Sequence, residues 1–154
     1  MTDDISVEIR GIDEMRRAMD AMPERLRKRA LLTALRNAAG VVRTAAREAT
    51  PVLQTPVPYR TKGLLRRKIS VRVSKADKAA GNVGVFVNVR PAKGAEIGAR
   101  NPRDPYYWRF VNNGTRRNPG KRFLQAGAAA LPRALEIFEL EMIPAIERLN
   151  GPSS

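Results

Sequence analysis

The 154-residue chain contains no cysteine and no histidine. Their absence excludes disulfide frameworks, Cys/His zinc sites, thiol nucleophiles and every Ser-His or Cys-His relay. Acidic residues are scarce: 15 Asp and Glu stand against 29 Lys and Arg, a net charge of +14. No apolar run approaches the roughly 20 residues that cross a bilayer, so no membrane span is expected. The opening Met1-Thr2-Asp3-Asp4 is acidic where a secretory signal would be basic and then apolar. No carboxylate pair suited to acid–base catalysis is recognisable, and no oxygen ligands cluster at metal-binding spacing. The expectation is a protein that is not an enzyme and that needs neither metal nor cofactor.

Apolar sequence is sufficient for a core, with 43% hydrophobic and 29% charged residues, as in ordinary globular chains. The length predicts a single domain over 1–154. Charge is unevenly spread along it: residues 1–22 carry −3, 23–75 carry +12, 76–124 carry +7 and 125–154 carry −2. A basic centre between acidic ends attracts a polyanion or an acidic protein surface, including the ends of another copy of the same chain.

Ile5 to Arg10 alternates apolar and polar residues, as a half-buried strand does. Asp13 is a candidate cap for a helix that Pro23 stops. Residues 24–49 form the clearest element. Leu26, Ala30, Leu31, Ala34, Leu35, Ala38, Val41, Val42, Ala45, Ala46 and Ala49 cover a broad arc, while Arg25, Arg29, Arg36, Arg43 and Arg47 gather opposite. This helix would be roughly 39 Å long and is expected to be the central packing element. Its arginine stripe is either a solvated face or a line facing acid in another subunit or DNA.

The prolines of Thr50 to Pro58 end the helix and predict an arm-like loop over about 50–62. Thr61 to Lys68 reads as a capped turn of helix. Ile69, Val71 and Val73, then Val83, Val85, Val87 and Val89, alternate with polar residues apart from Phe86, which predicts an antiparallel hairpin across a polar connection. Phe86 on the polar side suggests that this side is covered too. Residues 91–105 read as a second exposed, arm-like loop. From Phe123 to Leu149 apolar residues recur at helical spacing, with Pro132 and Pro144 expected to break or kink the helix; 150–154 is a frayed tail. The fold class is α+β: a small antiparallel sheet packed on a long central helix and a C-terminal helix, with extended loops.

Two groups of residues are candidates for contact. Tyr106, Tyr107, Trp108 and Phe110, with Phe123 and Leu124, suit a subunit or tail interface. Aromatics among cations also suit single-stranded nucleic acid, although consecutive aromatics on one element fit a packed segment covered by arginines. Arg36, Arg43, Arg66, Arg67, Lys68, Arg116 and Arg117 are candidates for facing DNA phosphate or an acidic partner. Glu96 and Asp104 lie in a basic loop without an evident partner acid.

The order of Thr61-Lys62-Gly63-Leu64-Leu65-Arg66-Arg67-Lys68-Ile69, Tyr106-Tyr107-Trp108-Arg109-Phe110-Val111-Asn112-Asn113-Gly114-Thr115 and Arg122-Phe123-Leu124-Gln125-Ala126 resembles the tail-completion or neck proteins of long-tailed bacteriophages, a group akin to minor tail protein Z of lambdoid phages. Departures from the group's pattern are Lys62 between Thr61 and Gly63, Lys68 where Ser is usual, Asn112 for Glu, and Arg122 where Pro often stands. The resemblance spans about residues 5–148. It implies a structural virion protein of the head-to-tail junction, assembled in the host cytoplasm, whose copies form a ring, commonly of six. Its implied partners are itself, the tail tube, the tail terminator and the head-closure or connector proteins, with non-specific DNA in the lumen. The alternative function is a free-standing basic nucleic-acid-binding protein.

Overall fold

A computed structural model of the chain describes residues 12–150 apart from residue 56. The strand expected over Ile5–Arg10 lies outside the described residues, as does the tail beyond 150. The elements in chain order are α1 (Ile12–Asp20), α2 (Glu24–Ala49), α3 (Leu64–Lys68), β1 (Ile69–Val73), α4 (Lys75–Ala79), β2 (Val85–Val89), a 3₁₀ turn at Gly94–Glu96, α5 (Trp108–Asn113), α6 (Phe123–Ala128) and α7 (Leu131–Asn150). The architecture is α+β, a two-stranded antiparallel sheet with a long central and a C-terminal helix.

α2 has the predicted bounds, because its apolar residues hold helical period for the whole of its length and Pro51 follows its C-terminus. Thr50 finishes the helix: its N–H donates to the Arg47 carbonyl and its buried hydroxyl to the Ala46 carbonyl at 2.6 Å. The small residues Ala34, Ala38 and Ala46 are the buried ones on α2, and they let other helices approach closely. At Gly127 of α6 an added Cβ would lie 2.9 Å from the Ala46 Cβ and 3.0 Å from the Val42 carbonyl oxygen, so the α6–α2 contact depends on the missing side chain.

The hairpin has the expected pairing, with Ile69 opposite Val89 and Val71 opposite Val87. It packs on the C-terminal half of α2, where Ala46, Leu65, Ile69, Val89 and Phe123 form a buried cluster. Burying Ile69 and Phe123 fully, both 0% exposed, stabilises the fold by about 1.5–3 kcal/mol each. Val87, Tyr107, Trp108, Val111 and Leu124 pack around them. Gly127 of α6 sits at Val42 and Ala46, and Leu131 to Phe138 line a groove with Leu35 to Val42. α7 therefore runs back toward the N-terminus of α2; Met22, Ala134 and Met142 are also buried.

Several expectations are corrected. β2 starts at Val85, not Val83, and the connection before it holds α4, whose Ser74 hydroxyl accepts the Asp77 N–H at 3.2 Å. Thr61 does not cap α3: its hydroxyl donates to the Pro102 carbonyl at 2.9 Å, tying the 50–62 loop to the 91–105 loop. Within the latter, Asp104 is 1% exposed and accepts the N–H groups of Ala92 and Gly98. A lone carboxylate thus organises a loop that composition marks as mobile. The C-terminal break falls at Ala129–Ala130, and Pro132 is the second residue of α7, where the missing N–H would have no helical partner. α7 continues through Pro144.

Candidate functional site

Arg47 departs from the stripe in which helical geometry places it. Its Nη2 and Nε donate to the Ile69 carbonyl at 2.8 and 3.1 Å, and Nη2 reaches the Arg67 carbonyl at 3.4 Å. It satisfies carbonyls left open at the end of α3, a role suited to a cation at a helix C-terminus. Burial lowers its pKa from the ordinary value, with Arg43 adding to the shift. Arg25, Arg29 and Arg36 remain exposed, whereas Arg43 is half-buried.

The aromatic segment is divided between the core and solvent. Tyr107 and Trp108 pack on the buried cluster, and Tyr106 meets Tyr107 edge to face with centroids 5.3 Å apart. Arg60 lies 4.6 Å over the Tyr107 ring and Arg109 5.2 Å over Trp108, contacts in which cations cover aromatic faces. Burial raises the Tyr107 pKa above 10.0; Arg60 opposes the shift and Tyr106 adds to it. Phe110 points outward, 61% exposed. Phe123 is a correction to the interface expectation, because complete burial leaves it nothing to present to a neighbour. Leu124 is half-buried and lines the apolar groove described below.

Asn112, at the position where the resembled group has Glu, is buried and links α5 to α6. Its Oδ1 accepts the Leu124 N–H at 3.0 Å, Nδ2 donates to Asn113, and its carbonyl accepts the Arg122 N–H at 3.0 Å. Arg122 takes φ 47° and ψ 41°, a left-handed conformation closed to proline, whose ring fixes φ near −65°. The sequence departures at 112 and 122 are thus structurally coupled.

The cationic candidates sit on separate elements. Arg36 is exposed on α2. Arg66 donates to the Thr50 carbonyl and Arg67 to the Lys62 carbonyl. Arg116 and Arg117 are exposed in the turn between α5 and α6. Lys68 shares a depression of about 570 Å³ with Arg90, Lys93 and Arg103, and Glu96 is the acid on its lining. Sequence reasoning placed Arg103 only beside the aromatic segment and did not single out Arg90 and Lys93, since only the fold brings the hairpin and the 91–105 loop together. The ion pairs among the described residues are Arg27–Asp20 and Lys28–Glu24. No group of residues suited to a metal and no helix long and apolar enough to cross a membrane occurs among the described residues.

Three further surfaces are open. A groove of about 430 Å³ is lined entirely by apolar residues, from Leu35 to Ala46 on α2, Val85 to Val87 on β2, and Leu124 to Phe138 on α6 and α7. Consecutive strand residues point to opposite faces, so lining by Val85, Phe86 and Val87 places the groove along the edge of β2. The Arg90-to-Lys68 and Ser74-to-Gly84 hydrogen bonds fix the alternation and turn the backbone groups of Val85 and Val87 away from β1. A second depression, about 490 Å³, lies between Phe110, Pro51, Pro119 and Lys121. A third groove, about 420 Å³ between α1 and α7, is lined by Met15, Ala18, Ile143 and Ile146 together with Glu14, Glu139 and Glu147.

The chain belongs to the HK97-gp10-like family: the family model described as "Bacteriophage HK97-gp10, putative tail-component" matches residues 13–114. It is a bacteriophage tail component, and so a part of the virion. The match runs from α1 to the end of α5, so Asn112 and the aromatic segment fall within it, while Arg122, Phe123 and α7 lie beyond it. No curated protein and no solved structure gives a match.

Proposed function

We propose that this tail component acts at the head-to-tail junction, as a tail-completion or neck protein whose copies form a ring around the DNA path and join or cap the tail tube. The observation that carries the reading is the apolar groove along α2, the β2 edge and α7. Its fourteen lining residues include no polar side chain, and two of them, Phe86 on β2 and Leu131 on α7, are exposed. Apolar surface of this extent is stabilised by burial against another copy, which suits a chain of a phage tail-component family. A closed assembly accommodates a chain whose cations largely lack carboxylate partners, because DNA or acidic neighbours then balance them.

The test is native mass spectrometry of the purified chain beside a Leu135→Asp variant, which puts a charge into the groove. Closed oligomers of one size, lost in the variant while it still melts cooperatively, support the reading. A wild-type chain that stays monomeric at the highest attainable concentration and is absent from virions contradicts it.

The nucleic-acid reading is favoured by the depression of Lys68, Arg90, Lys93 and Arg103. In a ring it corresponds to weak, sequence-independent phosphate contact, which weakens steeply with salt. Duplex DNA binding at low salt that Arg90→Glu with Arg103→Glu removes supports it; affinity unchanged by salt contradicts it.

A further inference from the structure

Two open surfaces, one beside Pro51 after the C-terminus of α2 and one between α1 and α7, are complementary in charge. At the C-terminal end, Phe110 projects beside Pro51 and Lys121, and the turn next to it exposes Arg116 and Arg117. No Asp or Glu occurs between Pro105 and Leu135, so this projection is purely cationic. The α1–α7 groove combines the apolar Met15, Ala18, Ile143 and Ile146 with Glu14, Glu139 and Glu147. Among the described residues no cation pairs with those three carboxylates.

The two surfaces lie on different parts of one copy, on either side of a 26-residue helix roughly 39 Å long at 1.5 Å per residue, so one copy cannot join its own pair. Contact between unlike faces of successive copies is heterologous, the geometry that generates rings when the rotation closes. The apolar groove beside β2 offers no carboxylate and leaves the charges around Phe110 unanswered. The α1–α7 groove answers them and has room for an aromatic side chain.

We propose that the Phe110 projection of one copy seats in the α1–α7 groove of the next, with the phenyl ring on Met15 and Ile143 and with Arg116, Arg117 and Lys121 against Glu14, Glu139 and Glu147. This assignment rests on the ring reading and adds to it a second contact between neighbouring copies, apart from the one that covers the groove beside β2.

The chain's lack of cysteine makes a direct test clean. In the full chain carrying Phe110→Cys and Ile143→Cys, mild oxidation is expected to give a ladder of linked multimers ending at the ring size, resolved by reducing agent. A ring seen by native mass spectrometry with no ladder overturns this contact and leaves the ring intact; neither ring nor ladder overturns both. A charge swap supplies the second arm. Reversing Arg116, Arg117 and Lys121 to Glu should weaken assembly at least tenfold, and adding Glu14→Lys, Glu139→Lys and Glu147→Lys to the same chain should restore it. A folded double set that stays dissociated contradicts the pairing. Recovery of the first set by an acidic-to-basic change elsewhere, but not at these glutamates, contradicts it too.

Discussion

The Arg47 guanidinium grips the Ile69 carbonyl through two nitrogens, at 2.8 and 3.1 Å, and so ties the last turn of the molecule's longest helix to the first residue of its sheet. Hydrogen bonds from charged donors contribute about 1.5–3 kcal/mol. Arg47→Ala should therefore lower unfolding free energy by about that amount in urea titration. Arg47→Lys should recover less than half, because an ammonium lacks the planar fork. Full recovery by Lys would mean that charge alone matters there.

The contact of α6 with α2 depends on Gly127. An alanine there would place its Cβ 3.0 Å from the Val42 carbonyl oxygen and 2.9 Å from the Ala46 Cβ, so the helices must separate. Overpacking of this kind costs about 1–3 kcal/mol. Gly127→Ala should lower the thermal midpoint, and an unchanged midpoint would show that α6 can shift freely.

The left-handed Arg122 gives a sharper substitution. Arg122→Pro restores the residue common in the resembled group, yet proline reaches neither φ 47° nor the N–H that Arg122 gives to the Asn112 carbonyl at 3.0 Å. The lost hydrogen bond alone should cost about 1 kcal/mol, and the forced change of φ adds to it. A variant as stable as the parent would mean that the turn has a second, equally good conformation.

Tyr107 sets a pH dependence. Its folded pKa is raised above 10.0, chiefly by burial, so the folded chain holds this proton after the unfolded chain has lost it. Its contribution is fully present below about pH 10 and is lost as pH rises from there through the raised value. Melting followed across about pH 9 to 11 should show a decline that is shallower in Tyr107→Phe. Equal slopes in the two proteins would contradict the assignment.

Much of this was readable from residues alone, for identifiable reasons. α2 keeps one period over 26 residues, and the alternation of Ile69, Val71 and Val73 opposite Val85, Val87 and Val89 leaves a single sensible hairpin register. α4 escaped notice although Ser74 and Asp77 stand at capping distance, because its five residues show no apolar periodicity. Asp104 was opaque for a different reason: its partners are backbone amides of Ala92 and Gly98, which no pattern of side chains announces. Arg47 shares its helical arc with exposed arginines, and only the tertiary fold brings a carbonyl to it. Spacing likewise marked Phe123 as apolar without telling core from interface, a choice made by the Asn112 contact that draws α6 onto α5.

Imaging the head-to-tail junction of intact virions at side-chain resolution tests the central claim most directly. The account predicts a closed ring of this chain around the DNA channel, with the groove between α2, the β2 edge and α7 covered by adjoining protomers. Copies lying singly on the tail with that groove open to solvent, or a junction built without the chain, would contradict it.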